Sequence, residues 1–195
     1  MTDRSRDRET ESTVEFSDAQ RDALMRGARE CVLTWIMRDG WPVGVAHSFV
    51  WHDGSVFLTF AAHRHRAAAI RGNNRVSVAV SGASGHAANC PQGVATMLGR
   101  AYFCEEQKTR DWFFTALSEK TRPNNPTGQA AFRRLLESPL RVVVEIVPER
   151  WITYDQQKGG RDMIGLLDDS EKFPRKSVEA IRLNQARAKL GRPPR

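Results

Sequence analysis

Two Asp-Gly pairs, Asp39-Gly40 and Asp53-Gly54, divide residues 31–60 into three short runs of strand-forming residues. Glycine reaches positive φ without steric cost, so Asp-Gly between alternating apolar runs is a strong hairpin signal. The runs are 31–37, 41–51 and 55–60. Turns this tight join only antiparallel neighbours, because parallel strands need a long crossover. Residues 31–60 therefore form an antiparallel meander. In the middle run Val43, Val45, His47, Phe49 and Trp51 fall on one face, with Gly44, Ala46, Ser48 and Val50 on the other.

The flanking segments extend this pattern. Ser17-Asp18-Ala19-Gln20 matches a capping box and predicts a helix over about 18–30, with Ala19, Leu24, Met25 and Ala28 on its buried face. Residues 63–71 read as a helix centred on Ala67, Ala68, Ala69 and Ile70, and 75–81 as a strand with Val76, Val78 and Val80 on one side. The stretch 93–104 is a long strand with Gly99 in its middle, a place for a bulge or a close backbone approach. Helices are expected over 105–117 and 129–136, separated by Thr121-Arg-Pro-Asn-Asn-Pro126, and a final strand over 140–154. Six antiparallel strands with helices at the connections make an α+β domain built on a small β-barrel, closed or split. The expected organisation is a flexible leader (1–16), one domain (17–155) and a basic, partly helical C-terminal extension (156–195).

Composition narrows the function classes. Of the 195 residues 40% are hydrophobic and 27% charged, enough for a packed core and too few charges for wholesale disorder. No apolar run approaches the ~18 residues of a membrane span, and the polar residues 1–16 are unlike a secretory signal. Cys31, Cys90 and Cys104 are too few and too scattered for a disulfide framework, so a reduced, cytoplasmic protein is expected. The net charge of +7 sits mostly in the tail, where Lys172, Arg175, Lys176, Arg182, Arg187, Lys189, Arg192 and Arg195 face only Glu171 and Glu179. Such a tail reads as solvated chain rather than a nucleic-acid site. The competing reading is a nucleic-acid arm over 181–190.

The chemistry concentrates after the third strand. Thr59 stands near the end of that strand, and Arg64 and Arg66 open the following helix. Cations at a helix N-terminus oppose the macrodipole. Exposed amides with two guanidinium groups make an anion site, and a phosphate would relieve that opposition. The plain alternative is a pair of solvated arginines. His47 reads either as a donor to a bound ring or as a satisfied core histidine. His63-x-His65, with His86 or Cys90, matches no standard zinc spacing, and no metal is expected. Neither a nucleophile elbow nor a dinucleotide fingerprint is present.

Taken together, Val56-Phe57-x-Thr59, Arg64-x-Arg66, Ile70 and Asn73-x-Arg75-Val76-Ser77 resemble the flavin-binding split-barrel family related to pyridoxamine 5'-phosphate oxidase. Leu98-Gly99-Arg100-Ala101 and Gly40-x-Pro42 fit the same pattern, and the resemblance spans about 31–154. It implies an α+β, six-stranded antiparallel split β-barrel that forms a homodimer and binds FMN. By the same resemblance Arg66 and Arg64 would hold the cofactor phosphate, Leu58 and Thr59 would meet the flavin, and Ala46, His47 and Ser48 would pass the isoalloxazine ring. The oxidase's second-strand Arg and Lys correspond here to Val43 and Ser48, which argues against pyridoxamine phosphate as substrate. The implied function is an FMN-dependent oxidoreductase transferring hydride to or from a small molecule. The alternatives are a deazaflavin-dependent reductase and a non-catalytic flavin or haem binder.

Overall fold

A computed structural model of the chain describes residues 9, 12–82, 90–174 and 177–193. In chain order the elements are β1 (Ser12–Thr13), α1 (Asp18–Gly27), β2 (Glu30–Ile36), β3 (Pro42–Ser48), β4 (Val50–His52), β5 (Ser55–Ala61), α2 (His65–Gly72), β6 (Arg75–Ser81) and β7 (Gly93–Cys104). They continue with α3 (Gln107–Thr121), α4 (Pro126–Leu136), β8 (Arg141–Asp155), α5 (Gln156–Met163), a 3-10 turn (Asp169–Glu171), β9 (Phe173–Pro174) and α6 (Ser177–Lys189). The chain divides into two compact units, one of Ser17–Thr153 and one combining Met1–Phe16 with Tyr154–Arg195.

The larger unit is a curled antiparallel sheet in the order β3-β2-β6-β7-β8-β5-β4. It has seven strands where the sequence predicts six. The difference lies wholly in the run 41–51, which breaks at Phe49. Residues before the break pair with β2, from Ile36↔Pro42 to Glu30↔Ser48. Residues after it pair with β5, from Val50↔Phe57 to His52↔Ser55. Phe49 itself is fully buried. Its ring is worth more inside the core than continued alternation is worth on the sheet surface. The break lets two consecutive segments lie at opposite ends of the strand order, and this curls the sheet.

Local chemistry explains the element ends. Ser17 closes the capping box on α1: its Oγ accepts from the Gln20 amide at 3.2 Å, and its own amide donates to Gln20 Oε1 at 2.9 Å. Leu24, Met25 and Ala28 are fully buried, whereas Ala19 is exposed because the helix places it on the solvent side. The helix α4 starts at Pro126, three residues before its expected start, because Asn125 caps it and proline at the first position is preset for helical φ. Gly40 and Gly54 turn at φ +89° and +77°, as the hairpins require.

The alternation is sharp in β2, β6 and β7, where one side of each strand is buried and the other is exposed or half-buried. In contrast β5 is buried on both sides. Phe57 joins Phe113, Phe114, Leu117, Leu136 and Val143 in the cluster between the sheet and the helix pair α3–α4. Val56, Leu58 and Phe60 point the opposite way and are also buried. Gly99 answers the expected close approach: a Cβ there would collide with the Val147 carbonyl and crowd Pro148.

In the smaller unit β1 pairs with β9, Ser12 opposite Pro174 and Thr13 opposite Phe173. Asp155 caps α5 by accepting from the amides of Gln157 and Lys158. Ion pairs Arg161–Glu171 at 2.5 Å and Lys172–Asp162 at 3.1 Å tie α5 to the turn that precedes β9. No helix among the described residues is long and apolar enough to cross a membrane.

Candidate functional site

Strand register decides which side chains can meet. Cys31↔His47, Leu33↔Val45 and Trp35↔Val43 are opposite pairs, so His47 lies on the buried side of β2 and β3. On β5, Phe60 projects to the barrel interior, and its ring centroid is 6.0 Å from that of His47. The short turn from β5 into α2 is closed by the Arg64 amide donating to the Ala61 carbonyl at 3.1 Å. That turn brings Arg66, in the first turn of α2, over the same place. Its guanidinium stands 5.5 Å from the Trp35 ring centre and 5.6 Å from that of Phe60. Its Nη1 is hydrogen-bonded to His47 Nε2.

This bond fixes protonation. An arginine only donates, so Nε2 of His47 is the acceptor and the imidazole is neutral. Burial and then the positive charges of Arg66 and Arg141 push the imidazole down to about 4. Burial, with help from Arg64, also lowers Arg66 below the usual arginine range, and burial alone does so for Arg141. Among the described residues no carboxylate pairs with Arg64, Arg66 or Arg141. One more donor is stranded here. Trp35 is only 4% exposed, and its indole N–H has no hydrogen-bond partner among the described residues. Buried polar groups are nearly always paired, so an unpaired indole N–H beside arginines that lack a carboxylate is unusual. Its chemistry matches an anion with several acceptor oxygens, and a phosphate group fits that donor set.

The seven residues singled out from the sequence do not share one surface. His47 and Arg66 meet directly, and Arg64 stands exposed at the N-cap of α2 without a capping bond of its own. Leu58 is fully buried on the Phe60 side of β5. Thr59 is on the opposite side, toward α3 and α4, and its hydroxyl donates to the Val142 carbonyl at 2.6 Å. Ala46 and Ser48 lie on the outward side of β3, in register with Val32 and Glu30. Trp35, Phe60 and Arg141 complete the cluster, and sequence reasoning passed over all three. An indole N–H on an otherwise apolar strand face was the available signal for Trp35. His63 and His65 are exposed, and His86 lies outside the described residues.

No family model matches the chain, and no curated protein does. Solved structures resemble it. A conserved hypothetical protein from Mycobacterium tuberculosis superposes with a TM-score of 0.64 at 22% identity, over 80% of this chain and 93% of that one. A candidate pyridoxamine 5'-phosphate oxidase from Listeria innocua gives 0.53 at 18% identity, over 71% of this chain and 97% of that one. A FAD-binding protein from Mesorhizobium loti gives 0.53 at 20% identity, covering 71% and 94%. At these identities the likeness is one of fold.

Proposed function

Starting from the split-barrel fold that this chain shares with pyridoxamine 5'-phosphate oxidase-like proteins, we propose that it binds FMN and acts as a flavin-dependent oxidoreductase on a small molecule. The observation that carries the reading is the donor cluster: the Arg66 guanidinium without a carboxylate partner, beside the unpartnered Trp35 N–H. Arg66 offers the phosphate a planar fork, and Arg64 adds charge from the rim. Neutral His47 holds the guanidinium in place from behind. Thr59 ties β5 to β8 through Val142 and so fixes the strand end from which α2 springs. Leu58 and Phe60 supply apolar wall. Because β3 is an edge strand, a cofactor held at Arg66 would reach its outward face around that edge, where Ala46 and Ser48, small and beside Gly44, leave room for a flat ring. Flavin, when bound, supplies hydride acceptance and return, while the protein binds and orients.

The FAD-binding neighbour supports a flavin over other phosphate-bearing ligands. A homodimer belongs to the same proposal. Val32 and Val94 are each about two-fifths exposed on the sheet face that carries Ala46 and Ser48, apolar surface suited to burial against a second copy. The free thiols of Cys31, Cys90 and Cys104 accord with residence in the cytoplasm.

The deciding measurement is a mass spectrum of whatever the purified protein releases on denaturation, with the visible spectrum of the intact protein beside it. FMN and oxidised-flavin bands are expected, together with bleaching by a nicotinamide donor and turnover on an added acceptor. A released deazaflavin would assign the reductase alternative, and bleaching without turnover would leave a binder. Protein that is colourless and takes up neither added FMN nor deazaflavin overturns the reading.

A further inference from the structure

A cleft of about 380 Å³ opens where β2, β6, β7 and β8 come together, and the donor cluster does not account for it. Its polar wall is unusual in sign. Arg75 and Arg100 are direct cross-strand partners on β6 and β7, and like charges so placed repel. Glu149 neutralises one of them, its Oε1 lying 2.5 Å from Arg100 Nε. Arg75 and Arg150 also line the cleft, and neither has a carboxylate partner among the described residues. Thr34 and Ser77, opposite each other across β2 and β6, add two hydroxyls. Ile36 and Leu98 give an apolar flank.

Two unpaired guanidinium groups and two hydroxyls around a partly apolar hollow are donors awaiting acceptors. We propose that this cleft binds a small organic anion: a flat or apolar body of a few carbon atoms bearing one carboxylate or phosphate. The anionic group would sit between Arg75 and Arg150, relieving the repulsion that Arg100 alone has resolved through Glu149. The apolar body would lie against Ile36 and Leu98. This inference deepens the flavin reading and rests on it for one point only, that the anion is a substrate.

The test uses the full-length protein with benzoate as probe and benzylamine as its charge-reversed control. Isothermal titration calorimetry should show saturable binding of benzoate and none of benzylamine. Arg75→Gln and Arg150→Gln should each weaken benzoate about fivefold, and the double variant more than about tenfold. Both arginines are at the surface, so the variants should fold, which circular dichroism checks. Absence of saturable benzoate binding overturns the proposal, and so does equal binding of benzylamine or an unchanged affinity in the double variant. Flavin content is read from the absorbance of the same samples. Benzoate binding in protein that cannot take up flavin would overturn the cofactor reading and leave the anion cleft standing.

Discussion

Arg66 on α2 donates to Nε2 of His47 on β3, so a cation and an imidazole share the end of the barrel with the imidazole held neutral. The pairing has a pH signature. His47 titrates at about 4 in the folded chain, against an ordinary value of 6.5, because burial, Arg66 and Arg141 all oppose its charging. The unfolded chain therefore takes up this proton first on acidification. The stability that neutral His47 contributes is complete above the unfolded value and is lost as pH falls toward the folded one. Near pH 5 the loss should be on the order of 1 kcal/mol. Thermal melts between about pH 7 and about pH 5 should fall more steeply for the parent than for His47→Gln, which keeps an acceptor for Arg66 and does not titrate. Parallel slopes would refute it.

Arg66→Ala should weaken flavin retention more than about tenfold, since a charge-assisted contact to phosphate is worth roughly 1.5–3 kcal/mol. Arg64→Ala should cost less, because Arg64 is solvent-exposed. Fluorescence titration with FMN measures both. An Arg66 variant that holds flavin as tightly as the parent removes this residue from the phosphate site.

Gly99→Ala should destabilise the barrel by about 1–3 kcal/mol. The new methyl meets backbone of β8 at Val147 and Pro148 rather than a side chain that can turn away. Urea unfolding gives the value, and a loss below about 0.5 kcal/mol would mean that β7 and β8 part without cost.

Phe49→Ala should cost about 3–5 kcal/mol, the range for emptying a buried aromatic site. The ring is fully buried at the point where the strand breaks, and the Lys120 ammonium lies 4.1 Å from its centre. Phe49→Leu should recover most of the loss. If leucine fares no better than alanine, the break depends on something other than filling this space.

The sequence carried the barrel in its turns and its parity. Asp39-Gly40 and Asp53-Gly54 mark hairpins that form, and the alternation through Val76, Val78 and Val80 marks a face that is buried. The break at Phe49 was hidden because alternation runs unbroken through 41–51, and only the tertiary pairing separates β3 from β4. The positive charge at the start of α2 was legible as chemistry out of place on a helix. The use of the Thr59 hydroxyl was not, since Val142 lies 83 residues away in sequence. Neither was the stranded N–H of Trp35, which becomes an anomaly only when every neighbour is known. Parity also set His47 apart from Ala46 and Ser48, two faces of one strand that a linear motif cannot distinguish.

The double covering of β5 has a consequence for how the molecule opens. Val56 and Phe57 are paired to β4 on one edge and β8 on the other, with the barrel interior beneath and α3 and α4 above. Fraying of the short edge strand β4 frees the β5 amides that face it, but not those that face β8. Deuterium uptake by the β5 amides that face β8 can proceed only through opening of the sheet itself, so the slowest-exchanging protons in this chain should cluster there and report its full folding free energy.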